Sequence, residues 1–345
     1  MLSGTPLPHV DARNLFPRLA PSARLLLIRL RSMGDCLLLT SPVRALKTEF
    51  PHFRVAVLVD ARFAACFSGN PDFDEIIPVH DKATVVRRLL TRRFDAIINL
   101  HGGPTSLLYA LSARGPHLGG AHHQHHWLYR DTYPAPDVAL HTTESTLSTF
   151  RWLGLTATSP PPLRFEPHEG EARRIRTRLG DDATPYVVVH PAAAFETKRW
   201  PTERFTAAVA WLEARGLRPV LTCGPGEESL LEPISRAHPH VLALPGLAIP
   251  ELAELIRGAR LYLGNDSGPM HLAAAVDTPT VAIWGSSSAV RWRPWGVDHQ
   301  VVQNPFSCNP CPGYRCLVAR SPLCIESVTV DQVQIAAEQL LRVQR

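Results

Sequence analysis

Three segments of the sequence carry side chains suited to group-transfer chemistry. The first is Arg31-Ser32-Met33-Gly34-Asp35, which follows a leucine-rich run. Glycine allows the backbone to turn sharply beside a ligand, and the carboxylate of Asp35 would project into the crevice beyond the end of a strand. An aspartate that only caps a helix has the same spacing. The residues alone leave both interpretations open.

The second segment runs from His190 to Pro201 and contains Lys198, a rare lysine in an arginine-dominated chain. A lysine ammonium acts as a compact charge on phosphate, whereas most lysines are solvated surface residues. The loop Cys223 to Glu228 also follows a predicted strand, and its Glu227 could bind the two hydroxyls of a ribose. Complementing a helix dipole is the other role open to this carboxylate.

The third segment, Gly264 to His271, predicts a phosphate site. A small-residue turn there opens a helix that has a proline in its first turn. Such a turn exposes the backbone N–H groups of Ser267 and Gly268 at the positive end of the helix dipole. A plain turn capped by Asp266 or Ser267 is the alternative.

These segments follow strands in a pattern that alternates short aliphatic runs with amphipathic helices, the signature of βαβ units and parallel sheets. Ser41 and Pro42 predict the start of the first helix, and Val330–Val343 predicts the last one. Ligands in such sheets bind beyond the carboxyl ends of the strands. The predicted strands are 24–30, 54–59, 75–79, 95–100, 186–190, 218–223, 241–244, 261–264 and 280–284.

Length and composition limit the protein class. The 345 residues are 45% apolar and 19% charged, which is typical of a globular protein with two domains and excludes a largely disordered chain. The most apolar part, 24–39, is interrupted by charges, so no membrane span is predicted. The charge of +5 is spread along the chain without a dense basic block, which argues against nucleic acid as a partner.

The sequence predicts two Rossmann-like domains with flanking segments. Residues 1–21 are expected to form a flexible leader without the features of a secretion signal, which favours a cytoplasmic protein. The N-terminal domain is predicted over 22–160 and a proline-rich linker over 161–184. The C-terminal domain follows over 185–328. A final helix in 329–345 is expected to pack back on the N-terminal domain.

In their order and spacing, these segments resemble glycosyltransferase family 9, the heptosyltransferases of bacterial lipopolysaccharide synthesis. The resemblance extends over about residues 24 to 342. It rests on Ser32-Met33-Gly34-Asp35, on the stretch from His190-Pro191 to Lys198-Arg199-Trp200-Pro201, on the turn 264–274 and on a late cysteine cluster. It implies an α/β fold of the GT-B type, with two Rossmann-like βαβ domains that face a central cleft.

The resemblance also implies a reaction and its partners. An inverting glycosyltransferase would move a heptose, or a related sugar, from an ADP-activated donor to a hydroxyl of a lipopolysaccharide core. The acceptor would be an anionic oligosaccharide anchored in lipid, met by peripheral contact at the cytoplasmic face of the inner membrane. No metal or other cofactor is expected, because fixed positive groups can neutralise the diphosphate.

Residue roles follow from the same resemblance. Asp35 would be the catalytic base and Lys198 the diphosphate ligand, with Glu227 at the ribose. Leu247 would lie against the adenine, where relatives often have methionine. The remaining donor-side residues would be Asp266, Ser267, Gly268 and His271, with Ala193 and Ala194 where relatives often have threonines. The expected acceptor-side residues are Gly34, Arg62, His101 and Arg130.

Two further motifs have metal-like spacing. Cys308, Cys311, Cys316 and Cys324 could hold a structural zinc, but their irregular spacing favours reduced thiols. The run His122-His123-Gln124-His125-His126 is interpreted as a surface loop on the acceptor side rather than a metal site. A nucleotide-sugar epimerase and a non-enzymatic zinc-stabilised binding protein are the alternative functions.

Overall fold

Two six-stranded parallel sheets organise the chain, one in each of two units, Met1–Pro161 and Pro162–Arg345. The computed structural model describes residues 11–311 and 314–343. Both sheets are flanked by helices, so the α/β fold class is as predicted. Among the described residues, no helix combines the length and the apolar character that crossing a membrane would require.

The first unit alternates strands and helices from residue 24 to residue 152. Its strands are β1 (Arg24–Ile28), β2 (Arg54–Asp60), β3 (Glu75–Val79), β4 (Ala96–Asn99), β5 (His117–Gly120) and β6 (Asp131–Tyr133). Its α-helices are α1 (Met33–Glu49), α2 (Lys82–Leu90), α3 (Pro104–Ser112) and α4 (Thr142–Trp152). Short 3₁₀ helices occur at Phe16–Arg18, Ala61–Phe67 and His126–Leu128.

The second unit repeats the alternation. Its strands are β7 (Tyr186–His190), β8 (Arg218–Leu221), β9 (Leu242–Ala243), β10 (Leu261–Asn265), β11 (Thr280–Ile283) and β12 (His299–Val302). Its helices are α5 (Glu169–Leu179), α6 (Thr202–Glu213), α7 (Glu232–Ala237), α8 (Ile249–Arg257), α9 (Gly268–Ala275), α10 (Ala289–Trp292), α11 (Leu323–Glu326) and α12 (Val330–Val343). Glu196–Lys198 and Glu228–Leu230 are 3₁₀ helices.

Both sheets have the same doubly wound strand order. The first is β3-β2-β1-β4-β5-β6 and the second is β12-β11-β10-β7-β8-β9. The order reverses between β1 and β4, and again between β7 and β10. At such a reversal the flanking loops diverge and leave a crevice beyond the carboxyl ends of the strands. Each unit therefore has one defined place for a ligand.

The central strands are buried on both faces, which explains their aliphatic sequences. The side chains from Leu25 to Ile28 and from Val187 to Val189 are fully shielded from solvent. A parallel sheet covered by helices on both faces requires such continuous apolar runs, and these are the strands that the sequence locates best. The sequence does not locate β5, β6 and β12.

The start of the first helix differs from the prediction. Helix α1 begins at Met33, with a capping box formed by Ser32 and Asp35, and Pro42 lies inside it. The capping box satisfies N–H groups at an earlier turn, so the helix continues through the proline despite its missing donor. The prediction of a start at Ser41 and Pro42 is therefore wrong.

The expected leader is packed where the structure describes it. Residues 1–10 lie outside the described residues, but Phe16 is only 1% exposed. Its ring centroid lies 6.0 Å from those of Phe50 and Phe53 and 5.9 Å from that of Phe150. The prediction of a flexible leader is wrong for residues 11–21, because this aromatic cluster holds them on the first unit.

The expected linker contains a helix, and the last helix packs in the core of its own unit. Helix α5 lies within the expected linker 161–184 and packs on α8 through the buried Ile175. Ile175 is its one buried residue, and the rest of its arginine-rich sequence does not indicate that the helix is packed. Helix α12 packs on α6, β10, β11 and β12 of its own unit, with Val333, Ala337 and Leu340 in the core. It therefore belongs to the second core, and its expected packing on the N-terminal domain stays a prediction.

We expect Phe16→Ala to lower the free energy of unfolding by about 3 kcal/mol, because truncating a buried phenylalanine leaves a cavity. Arg13→Ala, at an exposed position in the same segment, should change it by less than about 0.5 kcal/mol. Urea unfolding of the two variants measures the difference. Equal effects would show that residues 11–21 are not part of the first core.

Candidate active site

The loop after β1 holds Asp35 in an ion pair. The Arg29 guanidinium donates to the Asp35 carboxylate and to the main-chain oxygen of Leu100, which follows β4. The other Asp35 oxygen accepts hydrogen bonds from Ser32, from N at 2.8 Å and from Oγ at 3.1 Å. Both side chains of the ion pair are 18% exposed. Asp35 thus caps its helix and still presents a fixed, partly open carboxylate at the switch point.

A buried asparagine shapes the loop on the other side of this crevice. Asn99, the last residue of β4, accepts hydrogen bonds from N–H of His101 at 3.0 Å and of Gly102 at 3.3 Å. Its amide group donates to Ser106 and Tyr129. Every polar group of this side chain therefore fixes a neighbouring segment.

His101 lies within the field of the Arg29–Asp35 pair. Burial, aided by the positive charge of Arg29, lowers the pKa of His101 to about 4. The imidazole is therefore neutral near pH 7 and can exchange hydrogen bonds without carrying charge. The Asp35 carboxylate also acts on the charge of His101, so the two side chains are near each other in the first unit.

The histidine run is not uniformly a surface loop. His123 is 7% exposed and accepts a hydrogen bond from N–H of Gly120 at 3.1 Å. A Cβ atom at Gly102, where φ is +74°, would lie 3.0 Å from the His123 ring. His123 is therefore an interior support for the loop that carries His101, while His122 and His126 are exposed.

The other acceptor-side predictions fall in different places. Gly34 is buried in the first turn of α1. Arg62 follows β2 at the same edge of the sheet, and its exposed side chain pairs with Asp60 at 2.8 Å. Arg130 precedes β6, and its N–H donates to the main chain of His117, where β5 begins. By the strand register, Arg130 is level with His117, which pairs with Ile97 within β4, and its role on the acceptor side stays a prediction.

In the second unit the predicted phosphate ligand also sits in an ion pair. Lys198 ends a short 3₁₀ helix after β7, and its Nζ lies 2.6 Å from Oδ2 of Asp266, which follows β10. The Asp266 side chain is 5% exposed and that of Lys198 is 21% exposed. A nearly buried carboxylate needs such a partner. The exposed part of the ammonium remains open to an anion.

Asn265, the last residue of β10, holds these two loops together. Its carboxamide accepts a hydrogen bond from N–H of Trp200 at 3.1 Å and donates to the main-chain oxygen of Pro191 at 2.8 Å. Both partners belong to the segment that carries Lys198. The Trp200 indole is 2% exposed and donates to the oxygen of Val328 at 2.8 Å, which anchors the segment in the core.

Helix α9 begins directly after Asp266. Ser267 stands at its N-cap with extended backbone and makes no capping hydrogen bond with its side chain. Gly268 opens the first turn, Pro269 has no N–H, and N–H of Met270 donates to the oxygen of Ser267 at 3.2 Å, so the N–H groups at the start of the turn are those of Ser267 and Gly268. His271 follows on the same helix and is 4% exposed. The turn therefore has the geometry of an anion site, as its sequence predicts.

The remaining residues predicted on the donor side also lie beyond the carboxyl ends of the strands in the second sheet. Glu227 follows β8 and accepts a hydrogen bond from N–H of Gly224 at 3.0 Å, so its carboxylate also stabilises its own loop. Leu247 follows β9 and is 9% exposed. Ala193 is buried and Ala194 exposed in the loop after β7. Their methyl groups offer no hydroxyl to a ligand.

Comparison with known proteins identifies the family. The model of the family described as "Glycosyltransferase family 9 (heptosyltransferase)" matches residues 83–320. Lipopolysaccharide heptosyltransferase 3 of Escherichia coli is 31% identical over 294 residues, which cover 77% of this chain and 84% of that protein. The chain belongs to glycosyltransferase family 9. It is a glycosyltransferase, and neither the epimerase nor the non-enzymatic alternative applies.

Solved structures agree with this assignment in fold. A family 9 glycosyltransferase from Veillonella parvula DSM 2008 has a TM-score of 0.81 at 22% identity, covering 93% of this chain and 98% of that one. Escherichia coli heptosyltransferase WaaC with ADP has a TM-score of 0.72 at 22% identity, covering 92% and 99%. The prediction of a GT-B fold is confirmed.

The four late cysteines of the glycosyltransferase are free thiols in the structure. Burial raises the pKa of the Cys324 thiol, and the neighbouring Cys308 and Cys311 raise it further. Within residues 11–311 and 314–343, no three histidine, cysteine or carboxylate side chains are arranged to hold a metal ion. The segment instead contacts the loop after β11, where N–H of Cys311 donates to the oxygen of Ser286 at 2.8 Å.

Sequence reasoning misses two residues that contact the predicted catalytic residue Asp35 or the predicted donor-binding residue Asp266. Arg29 resembles a strand-end arginine, and only its pairing with Asp35 reveals its role. Ser287 follows β11, and its hydroxyl donates to the Asp266 carboxylate. Neither belongs to a motif. The one available signal is position, because both lie just beyond the carboxyl end of a strand.

A buried histidine at the donor edge makes stability depend on pH. Burial lowers the pKa of His190, which ends β7, to about 4, and the residue is 3% exposed. In the unfolded chain the same imidazole binds a proton near pH 6.5. The stabilisation is complete above pH 6.5 and is lost as the pH falls towards 4, because the unfolded state takes up the proton first.

We expect wild type to lose about 2 kcal/mol of unfolding free energy through His190 between pH 7.5 and pH 5.0. His190→Asn should reduce the difference between the two pH values by that amount. His52→Asn, at an exposed position, should leave the difference unchanged. Urea unfolding at both pH values measures it, and an unchanged difference in His190→Asn would contradict the assignment.

Proposed function

We propose that this glycosyltransferase transfers a heptose, or a closely related sugar, from ADP-heptose to a hydroxyl of a lipopolysaccharide core, with inversion at the anomeric carbon. The second unit would bind the donor and the first the acceptor. The name of the E. coli relative and the complexes of WaaC with ADP and with ADP-2-deoxy-2-fluoro heptose support this choice of substrates.

The strand order of the second sheet carries the donor assignment. Neighbouring strands run β10-β7-β8-β9, so their loops line up Asp266, Lys198, Glu227 and Leu247 in one row. Three strand spacings of about 4.8 Å give this row a length of about 14 Å. In an ADP-sugar the groups follow in the order sugar, diphosphate, ribose, adenine. The row presents a matching order: a charged pair, a carboxylate for hydroxyls and an apolar side chain.

The second unit would contribute most to the rate by stabilising the leaving group. Negative charge grows on the departing diphosphate as the bond to the anomeric carbon breaks. The Lys198 ammonium, fixed by Asp266, and the N–H groups of Ser267 and Gly268 at the start of α9 would stabilise that charge. These protein groups suffice for the proposed step, which requires no metal cofactor.

In the first unit, Asp35 would act as the general base. Its carboxylate takes the proton from the acceptor hydroxyl while that oxygen attacks the anomeric carbon. The electron pair of the broken bond leaves on the ADP oxygen, and attack from the opposite face inverts the anomeric centre. Arg29 and Ser32 hold the carboxylate through its two oxygens, so little reorganisation is needed at the moment of reaction.

The acceptor places the proposed reaction at a membrane surface. A lipopolysaccharide core is anchored in lipid and carries anionic groups, so we propose peripheral contact at the cytoplasmic face of the inner membrane. The net charge of +5 is compatible with such a surface. Arg62, exposed at the edge that carries Asp35, is the proposed contact for an acceptor anion.

We expect Asp35→Asn to lower kcat by about 10²–10⁴-fold, because a general base contributes that much to proton transfer. The amide oxygen of asparagine can still accept the hydrogen bond from N–H of Ser32, so the start of α1 should be retained. The affinity for ADP should stay within about threefold of wild type, because the residue lies in the other unit. ADP release from ADP-heptose with a truncated lipopolysaccharide acceptor measures turnover.

A matched control separates catalysis from helix capping. Asp81 caps α2 by accepting a hydrogen bond from N–H of Thr84 at 2.7 Å. Asp81→Asn should therefore retain wild-type turnover. If Asp35→Asn is as active as this control, Asp35 has only the capping role.

We expect Lys198→Ala to lower kcat by about 10²-fold and to weaken ADP binding less, because the contact strengthens as charge develops on the diphosphate. Lys198→Arg should rescue poorly, since a planar guanidinium places its charge differently from a compact ammonium. Lys82→Ala, at an exposed position on α2, should behave as wild type. Unchanged kinetics in Lys198→Ala would remove the donor assignment of the second unit.

A further inference from the structure

We propose that Ser287 is a positioning residue for glycosyl transfer, which holds Asp266 and, through it, Lys198 in the geometry that the donor diphosphate requires. The inference rests on the proposed donor site. It adds a residue from the loop after β11, which no motif in the sequence marks as functional.

The contacts form a chain of three side chains from three different loops. Oδ2 of Asp266 accepts the hydroxyl of Ser287 and also lies 2.6 Å from Nζ of Lys198. The main chain of Asp266 is fixed separately, because its N–H donates to the oxygen of Ile283 at 3.1 Å. Only the side-chain torsions of Asp266 remain to be set. These torsions are determined by the two donors on Oδ2, the Ser287 hydroxyl and the Lys198 ammonium.

The loop that carries Ser287 is itself held rigidly. The main-chain oxygen of Ser287 accepts hydrogen bonds from the Trp284 indole at 2.9 Å and from the Gln303 amide at 3.3 Å. The main-chain oxygen of Gly285 accepts from the Asn309 amide at 2.9 Å. These contacts use backbone atoms, so replacing the Ser287 side chain leaves them in place.

The same loop is locked directly to the segment of Lys198. The Ser286 hydroxyl lies 2.9 Å from that of Thr197, and a Cβ atom at Gly285 would come within 2.1 Å of the Thr197 oxygen. The distance between the loops after β7 and β11 is therefore fixed. Ser287 is therefore held at a position from which its hydroxyl donates to the Asp266 carboxylate, and this carboxylate is paired with Lys198.

Removing the Ser287 hydroxyl would redistribute these bonds. The Asp266 carboxylate is nearly buried, and loss of one donor leaves it to be satisfied by Lys198 alone. The ammonium would be drawn towards the carboxylate and away from the diphosphate. The cost would fall mainly on the transition state, in which the charge on the diphosphate is largest.

Ser287→Ala tests the inference. We expect kcat to fall about tenfold while the KM for ADP-heptose changes less than about threefold, because hydrogen bonds to charged groups position them for the transition state. Ser287→Thr, which keeps the hydroxyl, should restore most of the activity. Ser288→Ala is the matched control: its hydroxyl accepts from N–H of Arg291 and caps α10. This control should keep wild-type kinetics.

The double variant with Lys198→Ala separates this inference from the proposed function. If Ser287 acts through Lys198, adding Ser287→Ala to Lys198→Ala should lower kcat by less than about twofold more. A full further tenfold loss would show that Ser287 acts independently, and would overturn the inference while leaving the donor site intact. Wild-type kinetics in Lys198→Ala alone would instead overturn the donor assignment itself.

Two further results bear on Ser287 alone. Thermal unfolding of Ser287→Ala within about 2 °C of wild type would attribute the kinetic loss to positioning. If Ser287→Ala is too unstable to assay, Ser287→Cys, nearly isosteric but a weak donor, should show the same loss in kcat. Wild-type kcat in a folded alanine or cysteine variant would overturn the inference.

Discussion

In each unit, one buried asparagine ends a strand beside the switch point and holds the loops that carry the functional side chains. Asn99 ends β4 and Asn265 ends β10, and both side chains are fully shielded from solvent. A carboxamide has two donors and two acceptor lone pairs, so it can hold two loops at once. Asn99 fixes the loop of His101, and Asn265 fixes the segment of Lys198. The functional side chains are placed by these bonds as much as by the strands.

Near these two asparagines, the charged groups of the proposed mechanism are held in ion pairs. Asp35 is paired with Arg29 and Asp266 with Lys198, all at partly or largely buried positions. Pairing offsets the cost of removing each charge from water. It also fixes orientation before a substrate arrives, and this lowers the reorganisation required in the transition state. Stability and catalysis thus favour the same arrangement.

The late cysteine segment also contacts this part of the second unit. Asn309 and Cys311 bind main-chain oxygens of Gly285 and Ser286, in the loop that presents Ser287 to Asp266. The segment therefore covers a loop of the donor edge. A role in supporting that loop accounts for its position without any role for the thiols as ligands.

The sequence by itself determines the central strands, the turn that opens α9 and the family. Continuous aliphatic runs and a glycine-proline turn are local patterns, and local patterns are legible without tertiary contacts. Only the tertiary structure shows that α1 continues through Pro42, that α5 packs on α8 and that Ser287 contacts Asp266. These outcomes depend on strand order and on bonds between distant positions, such as the 74 residues that separate Asn265 from Pro191. The periodicity of apolar residues indicates which face of an element is buried, but it does not indicate which other element packs against that face.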